Sequence, residues 1–130
     1  MSRLATLAMY KLVTVTGIDA KTIATTELYV VPAGKSLIVT RVPIVRVTAF
    51  TVGSKSVQAV ASFGGNSASY NDFLTGTTFT IAASGVWYSV AMPTGALPVY
   101  AAGTSFRLNI TTGSNATTET WAVDLFGYLI

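Results

Sequence analysis

The chain contains no cysteine and no histidine, and only 13 of its 130 residues are charged. Without cysteine there is no disulfide framework, no iron–sulfur ligation and no thiolate zinc site. Without histidine there is neither a Ser-His-Asp nor a Cys-His catalytic arrangement, and the usual imidazole metal ligands are missing. The five carboxylates, Asp19, Glu27, Asp72, Glu119 and Asp124, fall in different segments. Glu119 and Asp124 are five apart, so on one strand they point to opposite faces and form no acid pair there. A carboxylate dyad assembled from distant strands is the remaining route to glycoside hydrolysis. Eight Lys and Arg against five acids leave a net charge of +3, and the basic residues are dispersed rather than gathered into a nucleic-acid stripe.

A long apolar run is also missing. Mean hydropathy is high at +0.57, yet no stretch reaches the roughly 20 apolar residues that a spanning helix needs. Leu4 to Tyr10, following Arg3, has the outline of a short signal peptide. It is interrupted at Lys11 and runs into a Val/Thr alternation with no small-residue cleavage site, so it is not expected to be a leader. A small outer-membrane barrel fits alternating strands, but the want of a clear signal peptide and of long polar loops argues against that expectation.

What the chain does have is about a quarter Thr and Ser, frequent Val and Ile, and recurrent period-two segments bounded by Gly, Pro, Asn and Ser. These favour strands over helices. In 105–111, Phe106, Leu108 and Ile110 oppose Ser105, Arg107, Asn109 and Thr111. Comparable patterns mark 56–63, 77–82 and 86–92, and 7–16 and 22–31 add two further candidates. In 119–130, Trp121, Val123, Leu125 and Leu129 share one face, and Phe126, Tyr128 and Ile130 lie on the other, so both faces of this last strand are expected to be covered. Segment 36–48 reads as a long strand in which Pro43 marks an edge or a bulge. Arg41 and Arg46 within it face opposite ways unless Pro43 introduces that bulge. Asn71-Asp72-Phe73-Leu74 reads as one helical turn. The expected fold is all-β: a single antiparallel β-sandwich over 1–130, jelly-roll-like, with about eight strands and with 1–10 as a candidate N-terminal arm.

Motifs for chemistry are sparse. Gly64-Gly65-Asn66 lacks the strand–loop–helix setting of a phosphate loop and reads as a hairpin loop. Asn66, Asn71 and Asp72 offer one carboxylate, too little for a calcium site. Asn109-Ile110-Thr111 and Asn115-Ala116-Thr117 match the glycosylation pattern and, with no convincing signal peptide, are expected to be chance matches. Trp87, Trp121, Tyr70, Tyr88 and Tyr100 could line a carbohydrate groove, although aromatics alternating along strands more often belong to a core or an interface. Two segments echo each other: Tyr29 to Leu37, with Pro32-Ala33-Gly34-Lys35, and Val99 to Phe106, with Ala102-Gly103. Both run from an apolar strand end through a glycine turn into a new strand, which predicts one kind of corner used twice.

The segment Tyr29-Val30-Val31-Pro32-Ala33-Gly34-Lys35-Ser36-Leu37-Ile38-Val39-Thr40, the later Val99-Tyr100-Ala101-Ala102-Gly103-Thr104, and the ending Ala122-Val123-Asp124-Leu125-Phe126-Gly127-Tyr128-Leu129-Ile130 resemble small virion structural proteins of tailed bacteriophages. The stretch 49–95 carries none of this resemblance. It implies a jelly-roll-like subunit of the phage particle, as a head decoration protein, a head-fibre base or a tail component, assembling as trimers or lattices. There are no catalytic residues to carry over.

The expectation is therefore a non-enzymatic capsid decoration (cement) protein of the virion, assembled in the host cytoplasm. It would bind itself, as a homo-oligomer and most simply a trimer, and the major capsid or other virion proteins. No cofactor, metal, nucleic acid, membrane or small-molecule substrate is expected. Candidate contact residues are Leu4, Leu7, Met9, Tyr10, Arg41, Arg46, Phe126, Tyr128 and Ile130. The alternative is a host-recognition or carbohydrate-binding module of a tail or fibre. Low charge supports assembly independently, because covered faces need less charge for solubility than exposed ones.

Overall fold

The computed structural model describes residues 10–93 and 97–130. Leu4, Leu7 and Met9, and with them all of the arm candidate except Tyr10, lie outside the described residues. Among the described residues there are ten strands: β1 (Lys11–Asp19), β2 (Ala24–Val30), β3 (Leu37–Val39), β4 (Ile44–Thr51), β5 (Ala59–Gly64), β6 (Leu74–Phe79), β7 (Trp87–Tyr88), β8 (Val99–Tyr100), β9 (Ser105–Thr112) and β10 (Thr118–Leu129).

Their pairing has a simple rule. β1 pairs with β10, β2 with β9, β3 with β8, β4 with β7 and β5 with β6, all antiparallel. The chain is thus one nested antiparallel ribbon, folded back on itself at the β5–β6 hairpin. The ribbon curls so that β10 meets β4 and β9 meets β5. The result is two facing sheets, β1-β10-β4-β7 (extended by β3 and β8) and β2-β9-β5-β6. This is the jelly-roll arrangement expected from the strand pattern. Both sheets face a filled core between them rather than closing into a barrel.

The expected eight strands become ten for two reasons. The long strand 36–48 is broken: Val39 pairs with Gly127 and Ile44 with Asp124, so five residues of this chain advance against three of β10. Pro43 lies in that surplus, where its missing N–H breaks no ladder bond. The second reason is the short strand β8, which the alternation did not mark. Three other expectations are corrected. Asn71 to Leu74 forms no helical turn; Leu74 begins β6. The strand expected over 86–92 shrinks to Trp87–Tyr88. Gly17 and Ile18 belong to β1, where Gly17 takes φ +70° at a register shift between Val15 and Ile18. That is the left-handed geometry of a bulge glycine.

The repeated corner is confirmed in a specific form. Lys35 N–H donates to Pro32 O, and Thr104 N–H donates to Ala101 O, closing two tight turns with Gly34 and Gly103 at positive φ. The turns sit side by side, with Val31 N–H donating to Thr104 O at 3.0 Å and Gly103 N–H donating to Val31 O at 2.8 Å. Both sides of the ribbon therefore cross together from the β2:β9 pair in one sheet to the β3:β8 pair in the other.

The core is built from the inward set of each strand. Phe106, Leu108 and Ile110 of β9 face Trp121, Val123 and Leu125 of β10, with Phe63, Phe79, Val45 and Val47 between and beside them, all buried. Each large apolar side chain closed off in this way contributes about 1.5–3 kcal/mol. The Phe79 and Trp121 rings lie 5.2 Å apart, and Tyr100 meets Phe106 edge to face at 5.3 Å.

Candidate docking face and cleft

β10 decides what the outer face of the larger sheet carries. Because Trp121, Val123 and Leu125 point into the core, Ala122, Asp124, Phe126 and Tyr128 point away from it. Asp124 is nonetheless almost fully covered. The Thr14 hydroxyl on β1 donates to it at 2.5 Å, Arg46 Nε on β4 donates at 3.2 Å, and Lys11 Nζ stands 4.0 Å away. Burial pulls this carboxyl upward, but the Thr14 hydrogen bond, the Arg46 guanidinium and the Lys11 ammonium outweigh it and hold Asp124 below the ordinary carboxylate value.

The surplus at Pro43 places Arg41 and Arg46 on this same face. Arg41 stacks over the Phe126 ring at 5.4 Å and Arg46 over the Trp87 ring at 4.9 Å. Among the described residues Arg41 Nε is buried without an acceptor. Across β10 from it, Tyr10, Leu12, Tyr128 and Leu129 line a shallow groove of about 180 Å³, in which Leu12 and Leu129 pack against the core. Tyr10 is 58% exposed and Ile130, at the end of β10, 60%. Of the expected contact residues, Tyr10, Arg41, Phe126 and Tyr128 are thus brought together at one end of β10. Arg46 sits further along it, towards β7.

At that β7 edge an open cleft of about 440 Å³ is lined by Arg46, Val47, Thr48, Ser84, Gly85 and Trp87. Trp87 is 60% exposed, whereas Trp121 is wholly enclosed. The groove suggested by five aromatics does not assemble. Trp121 and Tyr100 are core residues, and Tyr70 packs under the Arg107 guanidinium at 5.4 Å. Alternation puts an aromatic on one side of a strand; only the partner sheet decides which side is inside.

The five carboxylates are held in separate places. Asp19 accepts from Lys21 N–H and the Thr22 hydroxyl. Glu27 accepts from the Ser105 hydroxyl and Arg107 Nη2. Asp72 accepts from Gly65 N–H and the Tyr100 hydroxyl, each at 2.9 Å. Burial first, and then this bond to the Asp72 carboxylate and its charge, push the Tyr100 phenol well above the ordinary tyrosine value. Asn66 Oδ1 accepts from the backbone N–H groups of Asn71 and Asp72, so the 64–72 loop uses its oxygens on itself. Among the described residues no three carboxylates gather as metal ligands do.

The polar feature that sequence reasoning missed lies inside. Glu119 shares the inward face with Trp121, accepts from Trp121 Nε1 at 3.0 Å and pairs with Lys55 Nζ at 2.9 Å. Lys55 also donates to Ile81 O at 2.8 Å and lies 5.1 Å from the Phe50 ring centroid. Residue parity along β10 was the available signal, since 119, 121, 123 and 125 form one row.

Comparison with protein families, with characterised sequences and with solved structures returned no match for this chain.

Proposed function

We propose that this chain is a non-catalytic structural subunit that decorates an assembled phage shell, docking through the outer face of its larger sheet. One observation carries the reading: Arg41 lies over the Phe126 ring, with Tyr128 two residues further along the same face of β10, and among the described residues its Nε is buried without an acceptor. A buried donor left unpaired costs about 1–3 kcal/mol. A partner surface that brings an oxygen to Arg41 while covering the aromatics recovers that cost. The low overall charge and the bacteriophage resemblance supply the setting. A jelly roll by itself serves many functions and does not identify one. Binding the assembled shell in preference to its free subunits stabilises the shell by mass action.

The test is co-sedimentation of the purified chain with assembled shells and with unassembled capsid subunits, alongside sedimentation velocity of the chain alone. Binding to shells, self-association, and loss of both in Arg41→Glu/Tyr128→Ser are expected. A folded, monodisperse monomer that ignores shells overturns the reading.

A further inference from the structure

The cleft at the β7 edge stands apart from the docking patch. β1 and β7 are three strand spacings apart, roughly 14 Å, and the cleft has a chemistry of its own. Its one aromatic, Trp87, is 60% exposed, although a side chain of this size is normally well covered. Arg46 is held in place: Nε and Nη2 donate to the two oxygens of Asp124, and the guanidinium lies 4.9 Å from the Trp87 ring centroid. This leaves the Nη1 edge without an acceptor among the described residues. No lining residue is acidic, and two further hydroxyls, Thr48 and Ser84, border the space. Lys11 and Arg46 flank the single carboxylate of Asp124, so the local charge remains positive.

We propose that this cleft binds an acidic saccharide, a uronic or nonulosonic acid unit. Its carboxylate is taken by the free edge of Arg46, and the C–H face of its ring lies against the exposed part of Trp87 that the guanidinium leaves uncovered. A guanidinium fork matches a carboxylate in a way that a point charge does not. The negative face of the indole attracts the slightly positive C–H groups of a sugar ring. The volume of about 440 Å³ falls within the range of small-molecule sites. Asp124 orients Arg46 before any ligand arrives, which lowers the ordering cost of binding.

The chain has two tryptophans. With Trp121 enclosed, a change in the solvent-exposed part of the emission reports on Trp87. The probes are trigalacturonate, sialyllactose, lactose and a hexaglutamate peptide, titrated against the whole chain by fluorescence and calorimetry. At least one acidic saccharide is expected to bind saturably and at least tenfold more tightly than lactose or hexaglutamate. Trp87→Ala is expected to abolish the binding. Arg46→Lys, which keeps a cation beside Asp124 but loses the fork, is expected to weaken it about tenfold. Circular dichroism and melting establish that both variants are folded; should Arg46→Lys unfold, Thr48→Val supplies the second measurement, with weaker binding expected. Four results would each overturn the proposal: no saturable binding of either acidic saccharide, equal affinity for lactose, equal affinity for the peptide, or unchanged binding in folded Trp87→Ala.

Discussion

The ammonium of Lys55 sits 2.9 Å from a carboxylate oxygen of Glu119, with 4% and 0% of the two side chains exposed. Each partner has a second anchor: Ile81 O for the ammonium and Trp121 Nε1 for the carboxylate. Burying two charges is costly, and the pair is tolerated because these bonds leave neither ion alone.

Lys55→Met is therefore expected to lower stability by about 3–5 kcal/mol, since it strands a buried carboxylate. Lys55→Met/Glu119→Gln keeps an acceptor for Trp121 and removes both charges. It is expected to be more stable than Lys55→Met alone, and urea unfolding of the single and double variants gives the coupling energy.

The acid limb of stability depends on Asp124. Its folded value lies below the ordinary carboxylate value. The stabilisation it contributes is complete above the unfolded value and is lost as pH falls through the folded one. Asp124→Asn is expected to destabilise the chain by about 1–3 kcal/mol at neutral pH. The gap to the parent should narrow as pH falls from 5 to about 2, as read from urea midpoints; a gap that does not change with pH would refute the assignment.

Tyr100 works at the other end of the scale. Its phenol is raised in the folded state, first by burial and then by Asp72. Its contribution is complete below the unfolded tyrosine value, about 10, and is lost as pH rises above it. In alkaline spectrophotometric titration, Tyr100→Phe should show the same ionisation amplitude as the parent until the chain unfolds.

Gly127 lies where β10 passes β3, and a Cβ there would run into the carbonyl oxygen of Ile38. That oxygen is backbone and has little freedom to give way. Gly127→Ala is expected to cost about 1–3 kcal/mol by overpacking. Gly17→Ala meets no atom within 4 Å and bears only the φ +70° strain, about 1–2 kcal/mol. Thermal melting of the two variants separates crowding from backbone strain.

Much of the fold is legible in the sequence because a sandwich strand is buried on one side only. The row Phe106, Leu108, Ile110 states its inward face outright, and the glycine turns at Gly34 and Gly103 announce a shared corner. β8 was legible only as the apolar strand end before the Gly103 turn, because two residues are too few to show a period. The site was less legible still. Arg41 and Arg46 look opposed by count, and only the chain surplus at Pro43, set by pairing with β10, brings them to one face. Trp121 shares its row with Val123 and Leu125, whereas Trp87 shares its row with Ser89 and Ala91, so parity already leaned towards the enclosed and the exposed position.

The sequence by itself determined the class: strands from period two and β-branched residues, no thiol or imidazole chemistry, and a surface poor in charge. The tertiary structure decided the nesting of the ribbon, which tryptophan meets solvent, and that Glu119 and Lys55 are buried together. The reason is physical. Periodicity and composition are local properties, readable within a few residues, whereas burial and charge pairing are set by contacts between segments 64 to 110 residues apart.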